Sequence, residues 1–412
     1  MAEDQEEPET VADPVTESDD VRPGPSRLRR AGRVSRRVAV GLVSLLALGA
    51  SGYVYVTKDQ LQSTVPTTDA LTPRAGEPAP PPADDGADDI LLVGSDARTD
   101  AQGNALPARV LRQLRTEANN GAVNTDTMIL LRIPKNGSKP SAVSIPRDTW
   151  TAIPGRGEAK INSAYGIAKA HFAQALRGQG ERDQAKIERD SDTEGRRVLV
   201  QAVQDLTQVR IDHYAEINLL GFYLLTEALG GVKVCLNHAT EDKDSGANFR
   251  RGEQTVSGGE ALSFVRQRKN LPRGDLDRIV RQQAFLSSAL HQLLSAGTLT
   301  SPGTLNGLMD AVHRSLTLDP GLDLLQFAQQ AKGIASGELT FATIPVVTAN
   351  GRSQDGQSIV QVDLKAVRDY VAGLAGRPAP ASPAPAGGGS GSGAAPAAAP
   401  LLQASPGVPC VN

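Results

Sequence analysis

The sequence predicts an α/β protein: a layered α-β-α domain with a central mixed β-sheet covered by helices, behind one N-terminal transmembrane helix. Three observations predict it. Apolar runs of strand length alternate with helix-period segments between residues 89 and 374. Several of these runs are continuous enough to be buried on both faces, as in a sheet with helices on each side. Before them, 19 residues at 38–56 carry no charge, the length a bilayer core requires.

The elements follow in chain order. Residues 1–37 hold nine acids and seven arginines and read as a disordered cytoplasmic segment. The run at 38–56, VAVGLVSLLALGASGYVYV, spans about 28 Å as a helix. A cleaved signal peptide ending near Ala50-Ser51-Gly52 is the alternative, but a 37-residue hydrophilic preface is long for one. All seven arginines of that preface lie between Arg22 and Arg37, and only Lys58 follows the run closely. The positive-inside rule then puts the N-terminus in the cytoplasm and everything after Thr57 outside. Residues 57–88 are polar and proline-rich, with PAPPP at 78–82, and read as a semi-extended spacer. Strands are expected at 90–93, 127–133, 142–145, 214–218, 232–236 and 339–347. Ile161, Ala164, Ala168, Phe172 and Leu176 recur at helical spacing, as do Leu276, Ile279, Leu286, Leu290 and Leu293. No linker interrupts 89–374, so it is read as one domain. Residues 375–412, rich in Ala, Pro and Gly, read as a disordered tail.

Charge sharpens the reading. The chain carries −3 overall, but 1–37 and 57–88 contribute −2 and −4, which leaves +3 on the rest. That near balance, the few aromatics and the location outside the membrane argue against nucleic acid as a partner. Two cysteines allow one disulfide and no four-ligand zinc site. The phosphate-loop, zinc-protease, nucleophile-elbow and dinucleotide glycine motifs are absent, and the five histidines are scattered.

Four polar clusters could hold chemistry. Gly94-Ser95-Asp96-Ala97-Arg98 follows a strand and places Asp96 and Arg98 at its C-terminal edge, where open α/β sheets bind ligands; a turn or cap is the plainer use of such an Asp. Asn124-Thr125-Asp126-Thr127 precedes a strand and equally suits an Asx-turn. Ser144-Ile145-Pro146-Arg147-Asp148-Thr149 ends a strand with an Arg-Asp pair that reads as a surface ion pair when taken alone. Residues 250–281 contain seven arginines and one lysine against four acids. There Arg266 and Arg268 point the same way if the segment is extended, and Arg278 and Arg281 share a face if it is helical. Arginine suits planar, bidentate recognition of phosphate or carboxylate. A solvated charge face is the competing reading.

Taken in order, GSDAR, NTDTMILL, SIPRDTW, KINSAY, GGVKVCL and VRQRKNLPRGDLDRIVRQQ resemble the LytR-CpsA-Psr family of bacterial cell-envelope proteins, which usually carry a single N-terminal membrane anchor. The resemblance spans residue 89 to about 294, and the stretch to 374 looks like an actinobacterial continuation. It implies a phosphotransferase at the outer membrane face. Such an enzyme moves a glycopolymer with one phosphate from a polyprenyl pyrophosphate carrier to peptidoglycan, onto a muramic acid hydroxyl, and releases polyprenyl phosphate. By motif, Asp96 and Asp126 match the two acids associated with a divalent cation, Mg2+ or Mn2+. Arg98, Arg147, Arg266, Arg268, Arg278 and Arg281 match arginines lining the pyrophosphate. Arg273 and Asp275 belong to the same catalytic string, and Asp275 and the metal-site acids are the candidates for orienting or deprotonating the acceptor. One departure is Asn124, where many relatives have arginine.

With both Cys235 and Cys410 expected outside the cell, a disulfide between them is predicted, tethering the tail to the domain. Two other functions fit the same clusters: a pyrophosphatase that uses water as acceptor, and a membrane-anchored binder or regulator of wall polymers without turnover.

Overall fold

The computed structural model describes residues 65–83, 86–116, 123–136, 138–293, 302–323, 339–374, 402–403 and 408–412. The expectations for 1–37, for the apolar run at 38–56 and for most of the tail lie outside these residues. No helix among the described residues is long and apolar enough to cross a membrane.

The first half of the domain runs β1 (Ala87–Ser95), α1 (Ala108–Gln113), β2 (Thr125–Pro134), β3 (Ser141–Ser144), β4 (Trp150–Ile153), β5 (Gly157–Lys160), α2 (Ser163–Gly178), α3 (Gln184–Thr207) and β6 (His213–Ile217). Then come α4 (Leu219–Ala228), β7 (Val232–Leu236), β8 (Thr240–Asp242), β9 (Ala247–Phe249), β10 (Gly252–Val256), α5 (Gly258–Arg266) and α6 (Asp275–Leu293). The remainder is α7 (Pro302–Ser315), β11 (Leu316–Leu318), β12 (Thr340–Thr343), β13 (Thr348–Arg352), β14 (Ser358–Gln361), α8 (Leu364–Leu374), β15 (Leu402–Gln403) and β16 (Cys410–Val411).

Among the described residues, seven strands form the central sheet in the order β11-β6-β1-β2-β3-β12-β15. The sheet is mixed: β1 is antiparallel to β2 and parallel to β6, while β3 is antiparallel to β2 and parallel to β12. Strand alternation sends Leu91, Val93, Met128, Leu130 and Val143 to one face, where Tyr165 of α2, Leu199 and Val203 of α3 and Val371 of α8 cover them. Ile90, Ile129, Leu131, Ala142 and Phe341 take the other face and pack with Leu286 and Leu290 of α6 and Val312 of α7. Helices on both faces make the expected layers. Across β1 and β2, the register partners Asp89 and Arg132 form a fully buried ion pair, Nε to Oδ1 2.9 Å. Arg132 Nη1 also donates to the Val371 carbonyl at 2.8 Å, which ties α8 to the sheet.

Beside this sandwich, β10-β7-β16 form a small sheet whose apolar side is filled by Phe249, Phe264, Phe285 and Val411, with Phe222 against them. Cys235 of β7 and Cys410 of β16 are register partners in parallel strands and are joined as a disulfide.

Several elements differ from their expected form. The run expected as a strand at 339–347 stops at Thr343, because Pro345 cannot donate to a ladder, and a separate hairpin begins at Thr348. The charge-rich stretch before Arg196 forms the long helix α3, which the apolar pattern did not announce; Asp183 caps it by accepting from Lys186 N–H at 3.1 Å. Residues 65–83, expected as spacer from their prolines, lie on the domain. Val65, Thr68 and Ala70 are buried, and Thr67 bridges Leu318 at the β11 edge of the sheet.

Candidate functional site

Three strand ends meet at one edge of the sheet. β1 and β3 arrive there with their C-terminal ends, and β2, antiparallel to both, begins there. This brings Asp96 just past β1, Asp126 at the start of β2 and Arg147 just past β3 to one place. Asp96 N–H donates to the Asn124 carbonyl at 3.0 Å, and Asn124 N–H donates to Asp96 Oδ1 at 2.6 Å. Asn124 therefore supports Asp96 through its backbone N–H and carbonyl.

Arg147 is the hub. Its Nη1 donates to Asp126 Oδ1 at 2.7 Å, and its Nε lies 3.6 Å from Asp148 and 3.5 Å from Asp275. Asp275, first residue of α6, also meets Arg278 Nη2 at 2.5 Å, one helical turn on. Arg268 approaches Asp126 Oδ2 at 3.7 Å. Arg266 Nη1 donates to the Leu114 carbonyl at 3.3 Å and Arg98 Nε to Thr116 Oγ1 at 3.2 Å, so the segment after α1 touches both. Lys160, from the KIN motif, holds Asp148 at 3.1 Å.

The electrostatics follow from that geometry. Burial pushes the Asp96 carboxyl above its usual value, and the nearby Asp126 charge adds to the push against the Asn124 N–H. Burial acts the same way on Asp126, but the Arg147, Arg278 and Arg268 guanidiniums outweigh it and hold that carboxyl low. Burial weakens proton binding by Arg278 and Arg266, and neighbouring arginines add to the effect: Arg147 and Arg268 for the first, Arg98 and Arg268 for the second. Arg278 is almost completely buried, and its Nε has no hydrogen-bond partner among the described residues. Buried guanidiniums that repel one another and leave a donor unpaired make a site prepared for an anion.

Two residues of the arginine string stand elsewhere. Arg273 pairs with Asp277 through Nε at 2.8 Å and Nη2 at 2.7 Å, closing the start of α6. Arg281 is buried against Gln267, Phe264 and Asn412, away from the site acids. The segment is extended only in part: Arg266 ends α5, Gln267 after it has φ −57° and ψ 135°, and Arg268 precedes the turn at 269–270. Sequence reasoning gave no role to Lys160 or to Asp242, whose Oδ2 accepts Arg268 N–H at 3.1 Å and Lys269 N–H at 3.3 Å. The KIN motif was a signal for the first. Nothing local marks Asp242, which lies 26 positions from Arg268.

The amino-acid sequence matches the LytR_cpsA_psr family over residues 53–374. The chain belongs to this family. As a LytR-CpsA-Psr protein it is 44% identical over 366 residues to the Corynebacterium glutamicum cell wall biosynthesis protein LcpA, covering 88% of this chain and 70% of that one. It is 30% identical to the polyisoprenyl-teichoic acid–peptidoglycan teichoic acid transferase TagU of Oceanobacillus iheyensis, covering 69% of this chain and 77% of TagU. A crystal structure of a Streptococcus agalactiae protein superposes with a TM-score of 0.52 at 20% identity, over 71% of this LytR-CpsA-Psr chain and 89% of the other, a likeness of fold.

Proposed function

We propose that this protein transfers a glycopolymer together with one phosphate from a polyprenyl pyrophosphate carrier to peptidoglycan, releasing polyprenyl phosphate. The reaction would take place outside the cytoplasmic membrane, with 38–56 as the single anchor. The observation that carries this reading is the set of arginines around Asp126, with Arg278 buried, Arg147 and Arg266 half-buried and Arg268 exposed above them, an arrangement matched to a dianionic pyrophosphate diester. The relatives' names support the substrate class: one is a cell wall biosynthesis protein and another a teichoic acid transferase acting on peptidoglycan.

In the reaction an acceptor hydroxyl attacks the phosphorus on the polymer side. The bond from that phosphorus to the bridging oxygen breaks, the bridging oxygen leaves with polyprenyl phosphate, and the hydroxyl proton is lost to a base. Catalysis of this kind is positioning and electrostatic stabilisation. Arg278 and Arg266 would fork the phosphate oxygens, Arg268 and Arg98 would close over them, and Arg147 would keep Asp126 and Asp275 in place. Asp275, flanked by Arg147 and Arg278, would orient the acceptor hydroxyl.

No group of three or more metal-type side chains is gathered among the described residues. Magnesium needs few protein carboxylates when phosphate and water complete its shell. Asp96 fits that role, because burial and Asp126 both disfavour its charge and a cation would relieve both. Asp96 and Asp126 would hold Mg2+ or Mn2+, which when bound supplies charge neutralisation at the phosphate oxygens. A crevice of about 360 Å³, lined by Ile153, Ile167 and Phe172 but also by Arg156, His171 and Glu194, would take part of the lipid.

The test is incubation of the full chain with a polyprenyl pyrophosphate glycan, peptidoglycan and Mg2+. Polymer joined to peptidoglycan is expected. Free phosphorylated glycan would assign hydrolysis instead, and unreacted bound donor would assign a binding role. Asp126→Ala is expected to abolish turnover, and normal turnover by that variant would remove Asp126 from the site.

A further inference from the structure

Arg281 lies in the arginine string, three residues after Arg278, yet none of its close partners is a site acid. Its side chain is buried, with Nη1 donating to Gln267 Oε1 at 2.6 Å, Nε donating to the backbone oxygen of Asn412, and the guanidinium 5.2 Å from the centre of the Phe264 ring. Gln267 is itself fully buried and stands between Arg266 and Arg268. Its Nε2 donates to the Lys269 carbonyl at 2.8 Å and to Thr240 Oγ1 at 2.5 Å. Arg281 therefore orients Gln267, which with Asp242 ties the segment from Arg266 to Lys269 to the body of the domain.

The other acceptor comes from the far end of the chain. β16 lies parallel to β7, with Val411 buried in the phenylalanine cluster and its carbonyl accepting from Asn237 N–H at 2.8 Å. Asn237 Nδ2 donates to Asn412 Oδ1 at 3.2 Å. The disulfide at Cys410, which is exposed, fixes this strand covalently. Burial lowers the proton affinity of Arg281 to about 10, with only Asp277 opposing. A buried guanidinium so placed depends on these acceptors, and losing one leaves a buried donor unsatisfied.

We propose that Arg281 is a positioning residue for the Arg266–Arg268 segment, held in place by the C-terminal strand that the Cys235–Cys410 bond clips to β7. This rests on the reading of Arg266 and Arg268 as pyrophosphate ligands. It makes pyrophosphate affinity sensitive to reduction of a disulfide that contributes no group to the site.

Calorimetric titration of the full chain with inorganic pyrophosphate and Mg2+ tests the proposal, read alongside hydrogen exchange at residues 266–270. Reduction of the native protein, or Cys410→Ser, is expected to weaken binding by about tenfold and to speed exchange in that segment. Arg281→Gln should weaken binding by a similar factor, and adding Cys410→Ser to it should change little further, because both act through one linkage. If Arg281→Gln weakens binding while reduction and Cys410→Ser leave it unchanged, Arg281 acts without the clip and the proposal is overturned. Full additivity of the two substitutions overturns it equally. Arg266→Ala separates the two levels: if that variant binds like the wild type, the pyrophosphate reading falls and the inference with it. If Arg266→Ala binds weakly while reduction has no effect on binding or exchange, the inference alone fails.

Discussion

At the scale of single residues, the site is a balance between burial and charge. Arg278 shows it most sharply, because its guanidinium is buried, meets Asp275 at 2.5 Å and still leaves Nε without a partner among the described residues. Arg278→Ala is expected to lower the rate constant of transfer by roughly 10²–10³, the scale of losing one donor aimed at developing charge. Arg278→Lys should not restore it, since an ammonium cannot serve a carboxylate and a phosphate in fixed directions at once. Initial rates at saturating donor would measure both. Asp96, Asp126 and Arg147 were legible in the sequence because each sits at the end of an apolar run, and the end of a strand is a local property. The pairing of Arg273 with Asp277 was hidden. Both lie in one string, and only the turn into α6 decides that they face each other instead of a ligand.

At the scale of elements, close approaches hold the layers in place. Gly195 of α3 passes α2 so closely that an added Cβ would lie 2.8 Å from the Tyr165 carbonyl oxygen and 3.0 Å from its ring. Gly195→Ala should therefore destabilise the fold by about 1–3 kcal/mol, read as a fall in melting temperature. At the opposite end of β6 from the site, His213 Nδ1 lies 3.2 Å from Asp319, which follows β11 and also accepts Tyr214 N–H. The hydrogen bond to Asp319 raises the His213 pKa, against partial burial. Burial works to raise Asp319, but its bonds from His213 and Tyr214 hold it low overall. The histidine's contribution to stability is thus full below its unfolded value of about 6.5 and is lost as pH rises through its higher folded value. The aspartate's contribution is present above its unfolded value and is lost as pH falls through its folded one. His213→Ala is therefore expected to lower the melting temperature most near about pH 5–6 and least near about pH 9. A pH-independent difference would remove the ion pair from the account.

At the scale of the whole molecule, distant segments close the domain. Residues 65–83 cross onto the helices: Arg74 pairs with Glu194 at 2.7 Å and lies over the Phe172 ring, and Glu77 pairs with Arg197. A chain beginning at Ala87 should be less stable than one beginning at residue 61, by on the order of 3 kcal/mol from the buried Val65 and Ala70 and the lost pairs. Equal denaturation midpoints would show that the segment only rests on the surface. What the sequence by itself determined was the layered α/β class, the acids and arginines at the sheet edge and the family, because alternation, helical period and strand-end motifs are all set by neighbours in the chain. Which arginines converge was decided only by the tertiary structure. Arg278 and Arg281 look equivalent one turn apart, yet one meets Asp275 beside the sheet edge and the other meets Asn412, 131 positions downstream. A buried charge takes its role from the groups that replace its water, and those groups come from parts of the chain that only folding brings near.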